Sequence, residues 1–466
     1  MTTNKTNHRS KPTRQILNDL TTGSITGKLI SFSLPFFITS ALQAMYGAVD
    51  LFVVGRYTGT SAVSAVNIGT QVMQLITSIL IGISVGTTVT LGRHIGEKDP
   101  RGCAESVGSS IAVFALMAAV FTPLLLLTAG NLVIAVQTPP EAVKEAASYI
   151  TICALGIPFI AAYNVGSGIF RGLGDSKTPM YIIALACTVN IAFDFLFVRA
   201  FGWGAAGAAA ATTLAQAVAS VTQILYFLKN KLPFSFGRSF LKPVKRAVTG
   251  VLRVGVPLAV QDLLICCAFL ALTIIANRRG LVSSSAVGVG ERIIMFMFLV
   301  PSAMMSALSA ITAQNVGAGK HDRAVRSTVT GMIITFVFGV ISCGAAQLAP
   351  GALVGLFTDD PRVIEAGIGY IRSYSLDCIL VAATFCLNGY LSGCDRAAIV
   401  FIHNTLSIFI IRIPLAYILS ARFPGSLFPM GLASPLGTVF STLFLCVYFL
   451  RQRAKKREPL PRGHIE

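Results

Sequence analysis

Apolar stretches long enough to cross a lipid bilayer recur along almost the whole chain. Each runs for about 20 residues or more, which as an α-helix spans the hydrocarbon core. Of the 466 residues, 54% are hydrophobic and only 12% are charged, whereas a soluble domain carries roughly 25% charged residues. The short alternating segments typical of a transmembrane β-barrel are absent. The sequence therefore predicts an all-α integral membrane protein.

Twelve transmembrane spans are predicted, in two groups of six. The chain divides into an N-terminal tail (1–28), an N-lobe (29–228), a linker (229–249), a C-lobe (250–450) and a basic tail (451–466). The predicted spans are 29–54, 63–90, 106–128, 142–169, 180–200, 205–228, 250–276, 283–311, 327–350, 363–392, 398–420 and 433–450.

The excess of positive charge, +18 at pH 7, lies mostly on one side of this topology. Most of the 37 Lys and Arg residues fall in the two tails, the linker and the loops on the same side as the tails. The positive-inside rule assigns that side to the cytoplasm. We therefore interpret the basic charge as a topology signal, and we expect no nucleic-acid partner.

An internal repeat relates the two groups of six spans. Because six is an even number, both copies enter the membrane in the same orientation. Repeats of this kind are related by a pseudo-two-fold axis along the membrane normal and place binding sites between or within the lobes. The matched pairs, at an offset of 221 or 222, are Ser64 with Ser285, Gly69 with Gly290, Gly96 with Gly317, Gly172 with Gly393, and Pro35 with Pro257.

Two carboxylates lie inside predicted spans. Asp50 is near the outer end of the first span and Asp194 is near the outer end of the fifth. An ionisable group at bilayer depth is costly, and it is rare unless it faces a polar cavity through which protons, ions or substrates move. Gln43, Tyr46 and Asp50 share one helical face, as do Asn190 and Asp194. This pattern favours a transport function.

The chemistry of such a pocket allows two coupling ions. Two carboxylates close together would repel each other and lose hydration, which favours protonation of at least one of them. Alternatively, carboxylate, amide and hydroxyl oxygens are hard ligands that suit sodium. The competing interpretation is that each carboxylate is buried and hydrogen-bonded to neighbouring helices only to fix their packing.

Several motifs, in order along the chain, resemble the multidrug and toxic compound extrusion (MATE) family. They are VDLFVVG in the first span, SAVNIG opening the second, FRGLGDSKTP after the fourth, NIAFDFLFV in the fifth and AQNVGAGKHDRA in the second half. The match covers residues 24–452. The resemblance implies a twelve-helix, two-lobed, monomeric antiporter of the bacterial cytoplasmic membrane with both termini in the cytoplasm. Such proteins export amphipathic, often cationic drugs in exchange for protons or sodium and confer antibiotic resistance.

The resemblance also assigns roles to particular residues. It implies an ion-coupling site in the first lobe, which would hold either a proton or Na⁺, and companion residues that line the cavity. The ion-coupling residues are Asp50, Asn190, Asp194 and Thr212, and the cavity residues of this lobe are Gln43, Tyr46 and Asn164.

Three further acids lie in apolar runs of the second lobe, and three arginines are their candidate partners. We expect these acids to serve either drug-cation recognition in the cavity or structural pairing. None of them stands opposite Asp50 or Asp194 in the repeat, so the two lobes are not chemically equivalent. The acids are Asp262, Glu291 and Asp377, and the arginines are Arg292, Arg372 and Arg412.

A proline inside the first span suggests how ion binding is coupled to drug release. Pro35 precedes Asp50 by 15 residues, a distance of roughly 22 Å along a helix. Proline removes a backbone hydrogen bond and makes a bend less costly. We predict that Pro35 is a hinge whose bending follows the charge state of the Asp50 site, although a static kink is the simpler alternative.

Two other function classes compete with drug export. A lipid-linked precursor flippase of the same superfamily would need basic residues in its cavity, and the second-lobe arginines keep that alternative open. A membrane-embedded enzyme would need a catalytic motif, and no H-E-x-x-H, G-x-S-x-G or phosphate-binding loop is present. We expect small-molecule substrates, a bilayer environment and no cofactor beyond the coupling ion.

Overall fold

The computed structural model describes residues 17–230 and 232–457, and within these ranges it contains no strand. Residues 1–16 of the predicted tail, Lys231 of the linker and residues 458–466 of the basic tail lie outside the described residues. The α-helices are α1 (Ile25–Tyr57), α2 (Thr60–Glu97), α3 (Pro100–Ala135), α4 (Val143–Leu155), α5 (Ile157–Gly172), α6 (Lys177–Asp194), α7 (Gly204–Lys229), α8 (Lys245–Asn277), α9 (Leu281–Met297), α10 (Leu299–Gly317), α11 (His321–Leu348), α12 (Pro350–Gly355), α13 (Pro361–Tyr374), α14 (Asp377–Gly393), α15 (Ala397–Leu406), α16 (Ile413–Arg422), α17 (Phe428–Gly431) and α18 (Ala433–Arg457).

These helices account for the predicted spans. In the described ranges, nine single helical segments are long and apolar enough to cross a membrane, and three bent pairs raise the number to twelve. The pairs α4–α5, α9–α10 and α13–α14 bend by 48°, 42° and 45°. The fold-class prediction is confirmed, but these bends were not anticipated because apolar content does not reveal a break in a helix.

Proline explains two of the three bends. Pro158 follows the break at Gly156, and Pro301 follows the break at Phe298. A proline ring clashes with the carbonyl group four residues earlier and leaves that carbonyl without its helical donor. Two other spans contain a π-helical segment, Phe195–Ala200 after α6 and Ser407–Arg412 after α15.

The internal repeat is visible in the packing of equivalent residues. A Cβ atom on Gly69 would lie 2.2 Å from the ring of Tyr149, and one on Gly290 would lie 2.5 Å from the ring of Tyr370. Both glycines therefore provide the space that a tyrosine of a neighbouring helix occupies. The two contacts are related by the offset of 221 found in the sequence, so the repeat extends to side-chain contacts.

The two lobes meet along the second half of α2. A Cβ atom on Gly82 would lie 2.5 Å from the backbone of Ala259, and one on Gly86 would lie 2.1 Å from the carbonyl oxygen of Val251. Further along, Gly96 of α2 packs as closely against Gln314 of α10. These glycines let the backbones of the two lobes approach each other closely.

This interface lies at the end of the bundle where α1 begins and α18 ends, which we call the proximal side; the opposite end is the distal side. The distal half of α2 exposes Asn67, Gln71 and Gln74. Arg292 of α9, the repeat equivalent of Gln71, is also exposed. Packing between the lobes is concentrated on α1 and α2 with α8 and α10. The lobes therefore diverge toward the distal side and leave a cleft between them.

A short segment before α1, residues 17–24, crosses the proximal interface and is called the strap. The Asn18 N–H donates to the carbonyl oxygen of Leu173 in the N-lobe at 3.0 Å, and the Leu20 N–H donates to the side-chain oxygen of Gln314 at 3.1 Å. Gln314 in turn donates to the carbonyl oxygen of Gly172 at 2.9 Å. Leu20 is only 1% exposed. Through these hydrogen bonds and this buried side chain, the strap contacts both lobes.

Candidate functional site

Residues from three helices of the N-lobe form a buried polar group near the distal side. The Thr212 hydroxyl of α7 donates to a carboxylate oxygen of Asp50 on α1 at 3.2 Å. The same Asp50 carboxyl group is a close neighbour of Asp194 and Asn190 on α6. The four residues predicted to couple ion binding are therefore brought together, and we call them the N-lobe acidic site.

The N-lobe acidic site is closed to solvent and its polar atoms are incompletely paired. Asp50 is 4% exposed, and Asp194 and Asn190 are 0% exposed. Oδ1 of Asp50, both carboxylate oxygens of Asp194 and both side-chain polar atoms of Asn190 lack a well-formed hydrogen bond to the described protein. Buried polar atoms are costly to leave unpaired, so the site has the capacity to accept a proton or a cation.

The charge balance of the N-lobe acidic site leads to the same conclusion. Two adjacent carboxylates cannot both be charged at low cost in a buried setting without a positive partner. No ion pair to Asp50 or Asp194 occurs among the described residues. A proton held between the two carboxyl groups, or a cation bound by their oxygens, would remove this repulsion.

The predicted companions of the acids occupy different environments. Tyr46 lies near Asp50, and its hydroxyl donates to the carbonyl oxygen of Thr212 at 3.4 Å. The Asn164 amide instead donates to Ile160 of its own helix at 2.8 Å, so no hydrogen bond links it to the acids in the described chain. Gln43 is exposed on α1. Of these companions, Tyr46 is the one that the geometry joins to the N-lobe acidic site.

The C-lobe contains a second buried polar group, which we call the C-lobe charge cluster. The Tyr370 hydroxyl donates to Glu291 at 2.5 Å, and Ser434 donates to Asp377 at 2.8 Å. Arg412 donates to the Tyr374 hydroxyl, and its guanidinium group lies over the Tyr374 ring. The tyrosines and Ser434 were missed by the sequence analysis because nothing in the local pattern distinguishes them from packing residues.

The internal repeat relates the C-lobe charge cluster to equivalent contacts in the N-lobe. Thr70, the equivalent of Glu291, shares a hydrogen bond of 3.3 Å with the Tyr149 hydroxyl. Asp377 is the equivalent of Gly156, and Ser434 is the equivalent of Thr213. The pairs of helices that meet are therefore the same in both lobes, but in the C-lobe acids replace a threonine and a glycine.

The remaining candidates are more isolated. Arg292 and Arg372 are exposed and pair with no carboxylate among the described residues, so of the three arginines only Arg412 joins the C-lobe charge cluster. Asp262 lies on α8, one helical turn after Ala259, the residue that contacts Gly82 of the other lobe. This turn is on the distal side of that contact, toward the cleft. Its placement is consistent with the floor of the cleft between the lobes.

Two lobes of membrane-spanning helices, with adjacent carboxylates buried at membrane depth, define a multi-pass membrane transporter. Comparison with known families gives the family. The MatE model matches residues 35–196 and 257–418, once in each lobe, and the chain belongs to the MatE family. Members of this family are transporters rather than enzymes.

Similar proteins extend over nearly the whole chain. The probable multidrug resistance protein YpnP of Bacillus subtilis (strain 168) is 26% identical over 438 residues, which is 94% of this chain and 97% of that protein. The probable multidrug resistance protein NorM of Thermotoga maritima is 24% identical over 443 residues, 94% and 95% of the two chains.

Solved structures confirm the fold. The outward-facing conformation of a multidrug resistance MATE family transporter of the MOP superfamily matches with a TM-score of 0.88 and 22% identity, covering 94% of this chain and 98% of that one. The crystal structure of MATE in the bent conformation matches with a TM-score of 0.85 and 23% identity, covering 94% and 96%.

Proposed function

We propose that the protein is a secondary active multidrug efflux antiporter that exports amphipathic, often cationic compounds in exchange for H⁺ or Na⁺. The observation that carries this proposal is the buried pair Asp50 and Asp194, in which Oδ1 of Asp50 and both carboxylate oxygens of Asp194 lack a well-formed hydrogen bond within the described protein. The resemblance of the chain to proteins named for multidrug resistance supports the choice of cargo.

The mechanism follows from competition between charge and burial. With a proton or Na⁺ bound, the N-lobe acidic site is compact and its helices α1, α6 and α7 pack closely. When the ion leaves, the two carboxylates repel each other and attract water. Both effects favour separation of these helices. A site whose packing depends on its occupancy can therefore exchange an ion for a drug across the cleft.

The direction of transport rests on the topology. Basic residues are abundant at the proximal side, including Arg93, Arg171, Lys320 and Arg323. By the positive-inside rule the proximal side is the cytoplasmic side of a bacterial inner membrane. The cleft then opens to the outside, where the distal N-lobe acidic site takes up the ion as drug departs.

The test compares Asp50→Asn and Asp194→Asn with the wild type in bacteria that lack their own efflux pumps. The measurements are resistance to ethidium, fluoroquinolones and tetraphenylphosphonium, at matched expression. Asp322→Asn, an exposed carboxylate at the start of α11, is the control. We expect both site variants to lose resistance and the control to keep it; wild-type resistance in both site variants would refute the assignment.

Exchange assays in vesicles under an imposed pH or sodium gradient identify the coupling ion. Carboxylate oxygens with the Asn190 carbonyl and the Thr212 hydroxyl suit Na⁺, and the carboxyl pair alone suits a proton. If Na⁺ is coupled, Thr212→Val and Asn190→Leu should raise the Na⁺ concentration required for exchange. If H⁺ is coupled, both variants should retain proton-driven exchange.

The second candidate function, a lipid-linked precursor flippase, is favoured by one observation. Arg292 is exposed within α9, at the position where the N-lobe has Gln71. An arginine at this depth is costly in lipid and is tolerated in a water-filled cavity, where it would attract an anionic headgroup. Equal binding of an anionic lipid-linked pyrophosphate by Arg292→Gln and the wild type would exclude a role for this charge in recognition of anionic cargo.

A further inference from the structure

Two adjoining cavities lie on the flank of the C-lobe, away from the N-lobe acidic site. The first, with a volume of about 500 Å³, opens at the proximal side and is called the proximal pocket. The second, of about 520 Å³, lies farther into the membrane and is called the lateral groove. Met332 of α11 lines both cavities, so they are neighbours along the surface of the lobe.

The lateral groove is apolar and lies at the depth of lipid acyl chains. Its walls come from α11, α14 and α18, and include Ile333, Phe336, Ala383 and Leu443. Met332 is 11 residues and Phe336 is 15 residues from the start of α11, which corresponds to roughly 16 and 22 Å along the helix. Since half the hydrocarbon core is about 15 Å thick, the groove spans the middle of the bilayer.

The proximal pocket has a different chemistry at its mouth. Arg93, His321 and Arg396 line it together with apolar residues such as Val329 and Leu387. Arg396 donates to the Tyr448 hydroxyl at 2.6 Å and forms no ion pair in the described part of the chain. A mouth with an arginine free of ion pairs, next to an apolar groove, matches the division of a phospholipid into headgroup and chain.

The mouth also joins the two lobes. Arg93 belongs to α2 of the N-lobe and forms an ion pair with Asp395, which follows α14 of the C-lobe. Glu97 is a second carboxylate partner of Arg93, at 3.4 Å. Arg93 and Arg396 both lie near the thiol of Cys394. A phosphate bound at this point would contact cations of both lobes and add to their interface.

We propose that the proximal pocket and the lateral groove bind one anionic phospholipid of the proximal leaflet. Its phosphate contacts Arg396, His321 and the outer edge of Arg93, and one acyl chain passes Met332 into the lateral groove. The bound lipid stabilises the packing of the lobes at the proximal side, the arrangement in which the cleft is open on the distal side.

The experiment uses the full-length protein purified in detergent, with two measurements. Native mass spectrometry counts retained phospholipid, and the melting temperature is followed during titration with phosphatidylglycerol, phosphatidylcholine or inorganic phosphate. We expect one tightly retained phosphatidylglycerol and a rise in melting temperature with phosphatidylglycerol that exceeds the rise with phosphatidylcholine. Stabilisation by inorganic phosphate equal to that by phosphatidylglycerol would overturn the proposal in favour of a free-phosphate site.

Two matched pairs of variants test the headgroup and the chain separately. Arg396→Gln removes the mouth charge, and Arg326→Gln removes an exposed charge of α11 that lies outside the pocket. Ile333→Trp fills the groove, and Ile341→Trp adds the same bulk elsewhere on α11; these isoleucines are 60% and 64% exposed. We expect Arg396→Gln and Ile333→Trp each to weaken phosphatidylglycerol binding by about tenfold, with both controls unchanged.

Melting temperatures without added lipid first establish that the variants and the wild type are equally stable. The binding results then test the headgroup contact and the position of the acyl chain separately. Equal binding in Arg396→Gln and the wild type overturns the headgroup assignment. Equal binding in Ile333→Trp and Ile341→Trp overturns the placement of the acyl chain. Capture of a drug rather than phosphatidylglycerol in the groove, detected by mass spectrometry, would show that this flank is part of the export pathway and would also overturn the proposal.

Discussion

At the scale of single residues, the two lobes use the same helix contacts for different chemistry. Thr70 and Glu291 occupy equivalent positions, and each is hydrogen-bonded to an equivalent tyrosine, Tyr149 or Tyr370. A neutral hydroxyl is easily replaced or rehydrated, but a buried carboxylate depends on its donor. The consequences of removing each tyrosine hydroxyl should therefore differ.

We predict that Tyr370→Phe destabilises the protein more than Tyr149→Phe does. Loss of the donor leaves the half-buried Glu291 carboxylate with one fewer partner, at a cost of about 1.5–3 kcal/mol, against about 0.5–1.5 kcal/mol for the neutral pair. Melting temperatures of the two variants in the same detergent provide the measurement. Equal shifts would mean that the Glu291 hydrogen bond carries no charge-dependent contribution.

The residues proposed for ion coupling show which features of a site can be predicted from neighbouring positions in the sequence. The faces that carry Tyr46 with Asp50, and Asn190 with Asp194, follow from helical spacing alone, so they could be predicted. The hydrogen bond of Thr212 to Asp50 joins residues 162 positions apart, and spacing contains no information about such a pair. The C-lobe tyrosines were missed for the same reason.

At the scale of elements, α1 contains the predicted hinge. Pro35 lies within one continuous helix, Ile25–Tyr57, and its carbonyl oxygen accepts a hydrogen bond of 2.8 Å from the Thr39 hydroxyl. The missing N–H of Pro35 leaves the carbonyl group one turn earlier without its helical donor, so bending here breaks one backbone hydrogen bond fewer than it would in an uninterrupted helix. The hinge hypothesis remains a prediction.

We predict that Pro35→Ala lowers ion-driven drug exchange while Pro123→Ala, inside α3, leaves it unchanged. Both substitutions restore a helical N–H, but only Pro35 lies on the helix that carries Asp50. Exchange rates in vesicles at equal protein content are the measurement. Wild-type exchange in Pro35→Ala would indicate that the proline forms a static kink.

The strap is a second element with a testable role. Leu20 is 1% exposed, whereas Leu17 of the same segment is 43% exposed. We predict that Leu20→Ala costs about 2–3 kcal/mol, because it leaves a cavity between the lobes, and that Leu17→Ala has little effect. Thermal unfolding of both variants measures this difference, and comparable melting temperatures would show that the strap does not stabilise the proximal interface.

At the scale of the whole molecule, the lobes are joined at the proximal side and apart at the distal side. Small residues allow close approach at Gly82, Gly86 and Gly96, whereas the distal half of α2 presents exposed Gln71 and Gln74. Polar side chains that face a hydrated cleft keep their hydrogen bonds to water. Closing the lobes over them would bury these groups without partners, so separation of the lobes is favoured on this side.

We predict that a membrane-impermeant thiol reagent added outside intact cells labels Gln71→Cys in a cysteine-free background. Ala313→Cys, at a position of α10 that is 0% exposed within the proximal interface, should react slowly. Labelling measured by gel shift tests the prediction. The reverse pattern would place the open cleft on the cytoplasmic side.

The sequence by itself determined the membrane class, the twelve spans, the repeat and the polar faces of individual helices, because hydropathy and helical periodicity are local properties of the chain. Only the tertiary structure decided which faces meet. The adjacency of Asp50 and Asp194 and the contacts of the strap with both lobes depend on packing between distant segments. Helix packing is set by the shapes of whole surfaces, which no single stretch of sequence contains.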